Sequence, residues 1–253
     1  VSVIDLQRPR VYVGFDANEL MAVNSAIASM RSFQGASAFD IRFLALSYLC
    51  AQGLYTRPTE RRDNHLWDVR SEAPMTTEHA IARFFVPLLC EYRGWALFMD
   101  GDVLVRRSLA DLFALADPTK AVQVVQHPPM TAAAPKKEGQ PQTLYTRKNW
   151  SSVMLFNCAH PSNHALTIDL LNTLPGRDLH RFCWLDDREI GALPPEWNYL
   201  VGVNAPQADP AIVHYTLGCP KPPSSSLPFA DEWFAAARAA KYDFAVGGID
   251  VLP

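Results

Sequence analysis

The stretch Trp95-Ala96-Leu97-Phe98-Met99-Asp100-Gly101-Asp102-Val103-Leu104-Val105 is a fully apolar run that breaks into two acids around a glycine. Five consecutive apolar residues bounded by turn formers read as a buried strand. Upstream, Val11-Tyr12-Val13-Gly14-Phe15 has the same character and ends at Asp16; Leu20, Val23, Ile27 and Met30 then mark one face of a helix. Ile41 to Leu46 reads as another strand, and Arg57 to Ser71, rich in charge and turn residues, as a loop. Thr77 to Tyr92 reads as a helix with Ile81, Phe84, Phe85, Leu88 and Tyr92 on one face and a kink at Pro87.

Downstream, the pattern predicts a helix near Ser108 to Leu115 and strands near Ala121 to Gln126 and Val153 to Phe156. A helix over Ser162 to Leu174 should stop at Pro175-Gly176, and Asp231 to Tyr242 is an amphipathic helix whose default role is packing. Strands separated by helices predict an α/β fold with a mainly parallel sheet.

The 253 residues carry 23 Lys+Arg against 26 Asp+Glu, a net charge of −3, with 49% hydrophobic and 11% aromatic residues. That composition suits a folded single domain and excludes disorder. A pI near 6.2 lacks the broad positive field of nucleic-acid binders, so no nucleic-acid partner is expected. No apolar run reaches the roughly 18 to 20 residues of a membrane span, and Val1 to Val11, with Asp5, Arg8 and Arg10, lacks a secretory core. Five widely spaced cysteines without a CxxC pair fit a reducing cytoplasm. The 20 prolines concentrate in two expected long loops, His127 to Gln142 and Pro206 to Pro228.

Asp100 and Asp102 fall at the carboxyl end of an apolar strand, where open α/β sheets bind ligands. Paired carboxylates there suit a hard divalent ion such as Mg²⁺ or Mn²⁺, with Gly101 letting the backbone turn; an ordinary Asp-Gly-Asp turn is the plain alternative. Ile212-Val213-His214 puts a histidine at another strand end, followed by Gly218 and Lys221. His214 suits a metal shell and the Gly218–Lys221 segment a phosphate; a buried structural histidine before a Pro-rich turn is the alternative. Asp186-Asp187 reads as a helix start. Asp16, three residues before Glu19, fits a capping box. Arg83 falls off its apolar stripe, as either a solvated arginine or a phosphate-side cation. Dinucleotide, P-loop, zincin and hydrolase-elbow fingerprints are absent from the sequence.

Six segments in order, "VYVGFDANE", "TTEHAIARFFVP", "ALFMDGDVLV", "NWSSVMLFNC", "LDDREIGALPPEWNYL" and "HYTLGCPK", resemble the nucleotide-sugar glycosyltransferases of the GT-A fold, within them family 8 and its close bacterial relatives. The resemblance runs from about Val11 to Lys221. It implies one GT-A domain over 1–253, with 1–102 as the nucleotide-binding half and 103–253 as the donor-sugar and acceptor half. Gly14, Asp16 and Asn18 would meet base and ribose; Asp100, Asp102 and His214 would hold Mn²⁺ (or Mg²⁺) with the diphosphate of a UDP-sugar. Gly218 and Lys221 would grip the diphosphate, Arg83 would lie near it, and Asp186 and Asp187 would contact the donor sugar as the catalytic acids. The implied reaction moves a hexose, from UDP-glucose or UDP-galactose, with retention, to a carbohydrate, lipid-linked or protein acceptor. His127 to Arg147, with Lys136, Lys137 and Tyr145, is either part of the acceptor site or a surface loop.

The chain departs from the family pattern in three places. Trp150-Ser151-Ser152 stands for Asn-Ser-Gly, Asp186-Asp187 for Asp-Gln, and the step from His214 to Gly218 is one residue longer than in the family. Two alternatives compete: a haloacid-dehalogenase-type phosphatase with Asp100 as nucleophile, and a nucleotide-sugar-binding module without turnover.

Overall fold

The computed structural model describes residues 8–33, 39–62, 65–129 and 147–243. In chain order the elements are β1 (Arg10–Gly14), α1 (Leu20–Phe33), β2 (Asp40–Leu44), α2 (Leu46–Ala51), β3 (Thr59–Arg62), β4 (His65–Asp68), β5 (Ala73–Met75), α3 (Val86–Leu89), β6 (Trp95–Met99), β7 (Val103–Val105) and α4 (Leu109–Phe113). There follow β8 (Val122–Val124), β9 (Val153–Asn157), α5 (Ile168–Thr173), α6 (Gly176–His180), β10 (Ile190–Ala192), β11 (Tyr199–Leu200), β12 (Ile212–His214) and α7 (Ala230–Asp243).

The main sheet has the order β2-β1-β6-β9-β8-β10. It is parallel except at β9, which runs antiparallel to both neighbours, β6 and β8. Alternate side chains feed two core layers. Val11, Val13, Leu97, Met99, Val153 and Leu155 pack with α1 and α4 on one face, while Tyr12, Ala96, Phe98, Met154 and Phe156 pack with Phe84, Phe85 and Leu179 on the other. This is the expected mixed α/β architecture with a mainly parallel sheet. A small second sheet, β11-β12-β7, begins where β6 leaves the main one, and α7 packs along α1.

Three local expectations are corrected. Arg57 to Ser71 contains the hairpin β3–β4, with β5 on the other side of β4. β3 is exposed and polar along its whole length, so no alternation betrayed it. The anchor is beneath: the buried Arg57 guanidinium pairs with Asp68 (2.5 Å) and donates to the carbonyls of Leu171 (2.9 Å) and Leu174 (2.7 Å).

Thr77 to Tyr92 is not one helix but turns, a 3-10 segment (Ala82–Phe85) and the short α3. From His79 to Pro87 every residue is buried, so the segment has no solvent face, and Pro87 in the first turn of α3 marks a fresh start. The helix expected over Ser162 to Leu174 is a 3-10 turn (Pro161–Ala165) followed by α5, capped by the Thr167 side chain, and Gly176 opens α6 rather than ending a helix.

Candidate metal centre

The Asp100-Gly101-Asp102 turn joins the two sheets. Asp100 N donates to Ser152 O (2.9 Å) at the start of β9, and Tyr215 N donates to Asp102 O (3.0 Å) at the end of β12. Because β12 runs antiparallel to β7 with His214 opposite Val103, the imidazole arrives beside the two acids. His214 Nε2 lies 3.0 Å from Asp102 Oδ1 and 3.8 Å from Asp100 Oδ2. One donor atom from each of the three residues fits within 4.8 Å of the others. Two hard carboxylates and an imidazole suit Mn²⁺ or Mg²⁺, so the residues fit the ion that the sequence resemblance implies.

Gly101 serves this turn by its size. A Cβ there would meet Gly14 O at 2.6 Å and Val23 Cγ2 at 2.7 Å. Gly14 is likewise packed under the His79 ring, whose Cδ2 would sit 2.5 Å from an added Cβ. The close approach brings the β1 turn, with Asp16 and Asn18, against the acidic turn. Asp16 is buried and occupied by the protein: Oδ1 accepts from the Asn18 backbone and side chain (both 2.9 Å), and Oδ2 accepts from Glu78 N (3.1 Å). Asp16 is thus an N-cap, of the 3-10 turn Ala17–Glu19, with Asn18 N as the donor to its side chain rather than the Glu19 N of the expected capping box.

Arg83 is not solvated. It is buried, with NH2 3.0 Å from Asp100 Oδ1, NH1 donating to Ser151 O (2.8 Å) and the guanidinium over the Phe98 ring at 5.0 Å. His79 Nε2 reaches the same Asp100 oxygen at 3.2 Å. Burial raises the Asp100 pKa, but Arg83 and then His79 outweigh it, holding the carboxyl below the usual range and ready to ligate as an anion.

A cavity of about 360 Å³ opens from these ligands, walled by Thr77, Arg83, Lys148, Ser151, His180 and Thr216 among others. Asp186 and Asp187 are not among its lining residues. Asp186 caps a 3-10 turn and pairs with Arg188, Asp187 pairs with Arg147, and their side chains are 68% and 89% exposed. Gly218, at φ +128°, and exposed Lys221 follow β12, also outside the cavity wall. Lys136, Lys137 and Tyr145 lie outside the described residues. Sequence reasoning passed over His79, which lies four residues before Arg83 inside a quoted segment, and also His180 and Asn198.

Two buried histidines near the site are held neutral. Burial, and then the charge of His214, lowers His127 to about 4; burial, and then Arg83, lowers His180 to about 3. Since both folded pKa values lie below the unfolded value of about 6.5, the unfolded chain takes up protons first as pH falls. Their contribution is complete above pH 6.5 and is lost on acidification towards 4 and 3, at about 2 kcal/mol from each by pH 5. Urea melts at pH 7.5 and pH 5 should show that drop; equal stabilities would refute it.

A scan of protein-family models finds no match. Protein CDI of Arabidopsis thaliana is 37% identical over 230 residues, covering 88% of this chain and 84% of that protein. Among solved structures, the apo bifunctional glycosyltransferase WbbM superposes with TM-score 0.63 at 15% identity, over 97% of this chain and 52% of that one. The apo glycosyltransferase GlyE of Streptococcus pneumoniae TIGR4 gives 0.55 at 14%, over 94% and 63%. The galactosyltransferase LgtC, in complex with donor and acceptor sugar analogues, gives 0.52 at 16%, over 91% and 95%. The chain therefore spans about half of WbbM and under two thirds of GlyE, but nearly all of LgtC. At these identities the likeness establishes the fold, GT-A.

Proposed function

Because the chain belongs to the family of Arabidopsis thaliana Protein CDI and has the GT-A fold, we propose that it is a metal-dependent glycosyltransferase of the family 8 type. It would move a hexose from UDP-glucose or UDP-galactose, with retention, to a carbohydrate, lipid-linked or protein hydroxyl. The observation that carries the reading is the convergence of Asp100, Asp102 and His214 at one end of a small-molecule-sized cavity. Asp100, Asp102 and His214 would hold a divalent cation, whose charge would offset that building on the departing diphosphate. The chain's own residues prepare for it: Arg83 and His79 keep Asp100 ionised, and the cavity beside it would receive the donor.

Gly14, Asp16 and Asn18 are proposed for the nucleoside and Gly218 and Lys221 for the diphosphate, as the resemblance implies. Asp186 and Asp187 keep their proposed role on the donor sugar. Their exposure makes it measurable, since Asp187→Asn removes an exposed ion pair of small worth to the fold, and lost turnover would then report on chemistry. The five free cysteines support a reducing compartment such as the cytoplasm; among the described residues no helix is long and apolar enough to cross a membrane.

The phosphatase alternative is disfavoured because Asp100 Oδ1 is held by Arg83 and His79 rather than presented as a nucleophile. The test is incubation with Mn²⁺ and a panel of nucleotide sugars. Release of nucleoside diphosphate from one donor is expected. Binding without release would make the protein a binding module, and phosphate release from simple phosphoesters would make it a phosphatase.

A further inference from the structure

Behind His214 lies a buried polar chain that no ligand is needed to explain. Ser152 Oγ donates its one proton to Asn149 O (2.7 Å), so towards Asn198 it can only accept. The Asn198 amide nitrogen therefore faces Ser152 Oγ (2.9 Å), and the same nitrogen reaches His127 Nε2 at 3.1 Å. With its nitrogen committed, Asn198 turns its oxygen to His214 Nδ1 at 3.0 Å. That oxygen only accepts, so His214 keeps a proton on Nδ1, and Nε2, which faces the two carboxylates, is the nitrogen left for a cation. Asn198 is completely buried, so water does not substitute for any of these bonds.

We infer that Asn198 is the positioning residue of the metal centre: it locks the ring and tautomer of His214 so that Nε2 is the ligand atom, and Ser152 in turn locks the orientation of Asn198. Ser152 stands where the resembled family has glycine, which makes this lock a feature of the chain itself. Asn198 also bonds residues on both sides of the long segment between His127 and Asn149, so the base of that segment and the metal ligand share one amide. The second of these contacts is the weaker, at 3.5 Å to Asn149 O.

The inference rests on the metal reading, and the test separates the two. Nitrogen-15 NMR of the protein with diamagnetic Mg²⁺ bound reports the His214 tautomer, and calorimetry reports Mn²⁺ affinity. Wild type should show the Nδ1-protonated form and bind Mn²⁺; a wild type that binds neither ion overturns the metal reading, and the hydrogen-bonded Nδ1 proton then tests the Asn198–His214 contact alone. In Asn198→Ala the His214 signal should move to a mixture of tautomers and Mn²⁺ affinity should fall about 10- to 100-fold, as for lost partners of metal-bound histidines. Asn198→Asp keeps both the shape and an acceptor on Nδ1 and should retain the tautomer and Mn²⁺ binding, whereas Asn198→Leu keeps the volume without the acceptor and should lose both, a split that a packing role would not give. An unchanged tautomer and affinity in Asn198→Ala or Asn198→Leu would overturn the assignment. Should Asn198→Ala fail to fold, the comparison of Asn198→Asp with Asn198→Leu decides.

Discussion

Replacing Asp100 or Asp102 with asparagine is expected to abolish Mn²⁺-dependent donor binding and to lower nucleoside diphosphate release by about 10³-fold or more. Each change keeps the shape of the side chain and removes one negative charge from a three-residue donor set whose atoms fit within 4.8 Å. Asp100→Asn also leaves the buried Arg83 guanidinium without its counter-charge and should lower the melting temperature. Calorimetric titration of Mn²⁺ and UDP, beside thermal melts, reads both effects. Unchanged Mn²⁺ binding in both variants would remove the metal assignment.

The second large effect concerns the fold. Arg57→Met should destabilise the protein by about 3–5 kcal/mol, because Asp68 is left as an uncompensated buried charge. The Arg57 and Asp68 side chains are 0% and 1% exposed. For a domain of this size the loss corresponds to a fall in melting temperature of roughly 10 °C. The double variant Arg57→Met/Asp68→Leu should recover only part of it, since the Leu171 and Leu174 carbonyls still lack their donor. Asp68 and Ser71 also wall the cavity, so the single variant should weaken ligand binding as it loosens the hairpin. A cost below about 1 kcal/mol would show that the pair is dispensable.

The sequence disclosed what rests on local periodicity. β1, β6 and β9 are apolar runs because both sheet faces are covered, and α1 shows its buried stripe at helical spacing. Asp100 and Asp102 were legible because they form the turn that follows β6, and His214 because it ends β12. What stayed hidden depends on partners distant in the chain. The β3–β4 hairpin is tied down by one arginine whose acceptors sit beyond residue 170. Thr77 to Tyr92 resembled an amphipathic helix, yet its polar residues His79 and Arg83 turn inward to Asp100, which only the folded register reveals. Asn198 lay within a recognised segment, but its task is defined by Ser152, His127 and His214, none of them nearby in sequence.

The pairing of β12 with β7 has a thermodynamic consequence. Asp102 and His214 become neighbours only when that strand pair forms, so an ion gripped by both closes a very long chain loop, and the unfolded chain offers no equivalent site. Mass action then turns ion concentration into folding free energy, with the gain growing as RT ln(1 + [L]/Kd). The same donor set that would steady a leaving diphosphate would also clasp the first half of the chain to the last.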